Sequence, residues 1–129
     1  LVGDENLVLI FTFVPYGTRY MTFKKYQKLS RETAIYPDLD KNFVYPTLGL
    51  AGETGEVVEN IKKIIRDRNK LIDKKIKSEL SKELGDVLWY LSQLATELNI
   101  SLDEIAIENI KKLQSRKKRN VLHGKGDNR

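Results

Sequence analysis

Two short acidic motifs in this chain have the residue types and spacing for chemistry. Residues 49–59 read Gly-Leu-Ala-Gly-Glu-Thr-Gly-Glu-Val-Val-Glu, and residues 82–90 read Lys-Glu-Leu-Gly-Asp-Val-Leu-Trp-Tyr. Each holds two carboxylates three residues apart: Glu53 with Glu56, and Glu83 with Asp86. On a helix that spacing puts both side chains on adjoining parts of one face. Four carboxylates brought together by two facing helices repel one another unless a cation sits among them. An all-oxygen ligand set suits a hard divalent cation, so Mg2+ is the expected occupant, with Mn2+ able to substitute.

The elements that must position these residues read as helices. A first helix is expected from Thr22, as N-cap, to about Tyr36, ended by Pro37. A second runs from about Pro46 to Asp67, burying Leu50, Val57, Ile61, Ile64 and Ile65, with Glu53 and Glu56 on the shoulder of that stripe. A polar stretch from Arg68 leads to a third helix, about Lys75 to Leu98. There Leu80, Leu84, Val87, Leu88, Leu91, Leu94, Ala95 and Leu98 form the apolar face, with Glu83 and Asp86 on its edge. Asn99 stops it, and Ser101 with Glu104 makes a capping box for a fourth helix with Ile105, Ile110 and Leu113 inward. Asn109, Lys112 and Arg116 share one side of that helix. Gly49, Gly52 and Gly55 each weaken the second helix by about 1 kcal/mol relative to alanine, which points to a close approach of backbone or ligand there.

At 129 residues, 40% apolar and 32% charged, the chain suits one helix-rich domain. With no cysteine, it has no disulfide, thiolate metal site or cysteine nucleophile. The single histidine, His123, gives a Ser-His-Asp triad little support, and no Gly-x-x-x-x-Gly-Lys phosphate loop occurs. Di-iron bundle chemistry uses Glu-x-x-His pairs, whereas both motifs here end in an acid. The net charge of +5 is uneven: the last 19 residues hold eight basic residues and one acid, leaving 15 basic and 17 acidic elsewhere. A basic end beside an acidic metal site suits a metal-bound polyphosphate, although Lys and Arg also complement a helix dipole. Residues 1–20 read as an extension of unknown role, with the domain over 21–129. Within the extension, the apolar run 7–14 has the pattern of a short strand and is too short to span a bilayer. Asp4 and Glu5 stand where an export signal is basic, so a cytoplasmic protein without a membrane partner is expected.

Over roughly Met21 to Arg129 the sequence resembles the MazG-like nucleotide pyrophosphohydrolases of the all-α NTP pyrophosphatase group. The resemblance rests on the two acidic motifs in this order, on Asn109 with Lys112, and on the ending His-Gly-Lys-Gly-Asp-Asn-Arg at 123–129. It implies an all-α, four-helix bundle-like domain that assembles as a homodimer or homotetramer with sites shared between subunits. It implies Mg2+-dependent hydrolysis of a nucleoside triphosphate to the monophosphate and pyrophosphate, serving to sanitise the nucleotide pool. Carried over residue by residue, it makes Glu53, Glu56, Glu83 and Asp86 metal ligands. Asn109 and Lys112 become phosphate contacts, with Arg116 assisting.

The same residues suggest a mechanism. One carboxylate, more readily from the Glu53/Glu56 pair, would take the proton of the attacking water. Lys112 and the tail cations would stabilise the departing pyrophosphate, and Tyr90 or Trp89 would stack on a base. For Trp89 a structural or interface role is the stronger expectation. The competing reading is a non-catalytic helical module that binds nucleic acid through Lys111 to Arg119. It ranks behind, because it leaves four flanking carboxylates without a purpose.

Overall fold

The computed structural model describes residues 20–67, 69 and 71–128, and among these it shows four helices and no strand. In chain order they are α1 (Phe23–Arg31), α2 (Val44–Asp67), α3 (Lys74–Glu97) and α4 (Leu102–Lys118). The apolar run at 7–14 lies outside the described residues.

Capping chemistry explains most of the boundaries. Thr22 accepts from the Lys25 N–H, Asp73 from the Ile76 N–H and Ser101 from the Glu104 N–H, each filling an orphan donor of a first turn. Ahead of α2, Asn42 Oδ1 accepts from the Tyr45 N–H at 3.0 Å, and Pro46 sits in the first turn where its missing N–H costs nothing. At the other ends, Asn99 (φ 55°) and Asn120 (φ 57°) take the left-handed conformation. The Ile100 and Val121 N–H groups return to the carbonyls of Ala95 and Arg116, and the last turns close.

The expected first helix is too long. It stops at Arg31, and residues 32–34 unwind through bonds to carbonyls three residues back. The proline at 37 is therefore not what ends it. Arg31 is instead fixed by side-chain partners on α3 and in the following loop, and Tyr36 leaves the helical path to bury its ring.

Helix α3 is central. Its register with α2 runs antiparallel, since Gly49 faces Tyr90, Glu53 faces Glu83 and Asp86, and Asn60 faces Glu83. Its register with α1 is antiparallel too: Gln27 meets Thr96, Ser30 meets Ser92 at 2.9 Å, Arg31 meets Gln93 and Glu97, and Thr33 meets Trp89. Helix α4 packs on α1, and Gln27 accepts from the Leu102 N–H to pin the α3–α4 turn.

The interior is small and partly polar. Ala34, Tyr36, Ile64, Ile76, Ala95 and Leu102 are buried, together with Ser30, Ser92, Gln93 and Arg116. Several residues expected inside are bare in the single chain: Ile65, Leu84, Leu98 and Ile110 are each about half exposed. One helical layer covers only one side of α2 and α3, so the apolar stripes continue past what this chain can bury.

Candidate functional site

The two acidic motifs meet because α2 and α3 form an antiparallel pair with both motifs near mid-helix. One carboxylate oxygen from each of Glu53, Glu83 and Asp86 lies within 4.8 Å of the others. Three of the four predicted ligands thus converge. Glu56 stays outside that group and is exposed, although its charge still reaches Glu53.

The electrostatics are those of an uncompensated anionic cluster. Burial, and then the charges of Asp86, Glu83 and Glu56, push the Glu53 carboxyl above its ordinary range. None of the four carboxylates forms an ion pair with a described residue. Glu53 and Glu83 are half-buried and Asp86 is exposed; carboxylates with oxygen donors only and no counter-cation among the described residues fit a hard divalent ion.

Two neighbours were not foreseen from the sequence. Asn60 reaches Glu83 Oε1 through its Nδ2 at 3.5 Å, at the outer limit of a hydrogen bond. Asn60 stands seven residues after Glu53, the same face two turns on, and that spacing was the available signal. Tyr26 from α1 also feels the cluster: burial, then the Asp86 charge, raises its hydroxyl. No sequence pattern links those two residues.

At one end of the site stands an aromatic group. Tyr36 and Tyr45 stack with ring centroids 4.8 Å apart, Trp89 meets Tyr90 edge-on at 5.0 Å, and Tyr45 lies 6.4 Å from Tyr90. Tyr90 lies flat against Gly49, where any Cβ would overlap its ring. This is the close approach the glycines suggested, and it occurs at Gly49 alone; Gly52 and Gly55 face open space. Burial first, and then Tyr45 and the charges of Glu53 and Asp86, raise the Tyr90 hydroxyl. Trp89 donates from Nε1 to Thr33 Oγ1 at 2.7 Å, a structural tie between α3 and the turn that follows α1.

The remaining predicted residues are elsewhere. Asn109, Lys112 and Arg116 stand on α4, whose principal packing is against α1 rather than α2 or α3. Asn109 is exposed. Lys112 Nζ lies 3.2 Å and Arg116 Nη2 2.9 Å from Asp127 Oδ1. A cavity of about 750 Å³ between α1 and the α3–α4 turn, lined by Gln27, Arg31, Thr96 and Asn99 among others, includes none of the predicted site residues.

Comparisons with known proteins place the chain in a family. A family model described as the MazG nucleotide pyrophosphohydrolase domain matches residues 46–121, a stretch containing both acidic motifs and Asn109, Lys112 and Arg116. The "Gene 37 protein" of Mycobacterium phage L5 is 45% identical over 109 residues, covering 81% of this chain and 96% of that protein. No solved structure matches the chain.

Proposed function

This chain belongs to the MazG nucleotide pyrophosphohydrolase family, and we propose that it hydrolyses nucleoside triphosphates to the monophosphate and pyrophosphate with Mg2+. The observation that carries the reading is the convergence of Glu53, Glu83 and Asp86 within 4.8 Å, with no cationic partner among the described residues. These three, with Glu56 completing the set, would hold the metal, and Mn2+ would be accepted in its place. When bound, the ion would neutralise phosphate charge that otherwise repels an attacking water.

The chain's own groups divide the rest of the work. Glu53 or Glu56 accepts the proton of the attacking water. Lys112 and Arg116, with Asn109, bind the phosphates and stabilise charge on the departing pyrophosphate. Tyr90 offers a ring face to the nucleoside at the edge of the carboxylates.

Because α4 packs on α1, its cations would meet the carboxylates of a second subunit. The half-exposed Ile65, Leu84 and Ile110 give such an assembly its apolar surface, so a homodimer, or a tetramer of dimers, is the proposed working unit. Among the described residues no helix is long and apolar enough to cross a membrane. A cytoplasmic role in clearing unwanted nucleotides is the proposed setting.

The test is incubation with a panel of ribo- and deoxynucleoside triphosphates and Mg2+, with identification of the products. Monophosphate plus pyrophosphate, abolished in Glu53→Gln, is expected. Diphosphate plus phosphate would refute the bond assigned, and no turnover by a folded oligomer would refute the enzyme.

A further inference from the structure

The ending at 123–128 folds back along α4. Gly124 (φ 137°) and Gly126 (φ 81°) supply positive-φ conformations that a side chain resists. As a result Asp127, the one acid among the basic residues of this end, reaches Lys112 and Arg116.

The fit is incomplete in an informative way. Arg116 has only 5% of its side chain exposed, yet its contacts with the described tail residues all fall on a single nitrogen. Nη2 donates to Asp127 Oδ1 at 2.9 Å, to Asp127 O at 2.8 Å and to Gly126 O at 3.3 Å. Nε is buried with no hydrogen-bond partner among the described residues. A guanidinium offers a planar fork of donors, and a buried one left half filled is costly. The anion that fills it is itself 79% exposed and tethered by a glycine-rich end. An oxyanion with several oxygens and more charge satisfies Nε, Nη2 and Lys112 together, which one carboxylate oxygen does not.

We propose that Asp127 is an internal stand-in for phosphate: without nucleotide it bridges Lys112 and Arg116, and the pyrophosphate moiety of the ligand displaces it. This rests on the phosphate-binding role proposed above for those two cations. Asp127 lies beyond the 46–121 stretch that the family model matches. The exchange keeps the buried guanidinium paired throughout, so opening the tail does not leave a bare charge inside. It also reduces apparent affinity by the fraction of molecules in which the tail is closed.

The experiment is titration of the full chain with inorganic pyrophosphate in Mg2+ buffer, for the wild type, Asp127→Asn and Asp127→Glu, alongside timed trypsin digestion. Asp127→Asn is expected to bind pyrophosphate about threefold to tenfold more tightly, and Asp127→Glu to resemble the wild type. In the wild type, pyrophosphate should speed release of residues 126–129 by cleavage after Lys125, a readout needing no variant. Unchanged or weaker binding in a folded Asp127→Asn overturns the proposal. So does protection of Lys125, which would mean that the tail closes over the anion. Tighter binding without nucleotide turnover refutes the enzyme reading and leaves the displacement standing; turnover with pyrophosphate affinity unmoved by Asp127→Asn refutes the displacement alone.

Discussion

Glu97, at the end of α3, receives the Arg31 guanidinium at 2.9 Å with its own side chain wholly out of solvent. The Tyr36 hydroxyl (2.6 Å) and the backbone N–H groups of Asp40 and Asn42 donate to it as well. Burial pushes the Glu97 carboxyl up, but the bonds from Tyr36, Arg31, Asn42 and Asp40 outweigh it and hold the group at about 2. The same ring of contacts pushes the Tyr36 hydroxyl up to about 12, through burial and then Glu97.

Glu97→Gln leaves Arg31 buried against a neutral partner and is expected to cost roughly 3 kcal/mol of stability by urea denaturation. The depressed pKa fixes the pH dependence. The contribution is fully present above the ordinary value of 4.5 and is lost as pH falls through 4.5 toward about 2. Acid unfolding of the wild type should therefore steepen in that window, and the variant should lack this component.

Gly49→Ala drives a methyl group into the Tyr90 ring. Overpacking of this kind costs about 1–3 kcal/mol, and the ring must swing away from the carboxylates. A lowered Tm with a raised KM is expected. Gly52→Ala, facing open space in the chain, should be neutral or stabilising in a thermal scan of the metal-free protein.

Mg2+ should stabilise the fold by mass action, by about 2.7 kcal/mol at a hundred times its Kd. Glu83→Gln removes one of the three converging carboxylates and should abolish most of that shift while leaving the metal-free Tm near the wild-type value. An undiminished Mg2+ shift in Glu83→Gln would place the ion elsewhere.

Leu84→Glu puts a charge on an apolar residue 56% exposed in the single chain. If that surface is covered by a second copy, light scattering should show a dimer or tetramer for the wild type and a smaller species for the variant, with activity falling in parallel. An active wild-type monomer would refute the shared site.

The sequence was legible where a local rule controlled it. The spacing on two apolar shoulders brings Glu53, Glu83 and Asp86 together once the helices pair, although Glu56 stays outside the group, and Asn99 ended α3 because asparagine tolerates a positive φ. The early end of α1 was not legible, because it is set by Arg31 finding partners across 60 and more residues of chain. The exposed Ile65 and Leu84 misled for a related reason: periodicity tells that a face is apolar and says nothing of whose surface covers it. Asp127 was visible only as a lone acid in a basic run; its partners depended on how the glycines turned the chain.

The seam between α1 and α3 is made of hydroxyls, amides and a guanidinium, with Ser30 against Ser92 at its centre. Undocking α1 along such a seam exposes hydroxyls, amides and a guanidinium, and hydration of polar groups lowers the heat capacity where apolar exposure raises it. The heat-capacity increment of that local opening should therefore be smaller, for the surface exposed, than that of global unfolding. Its free energy would then follow temperature with less curvature than the stability of the whole chain.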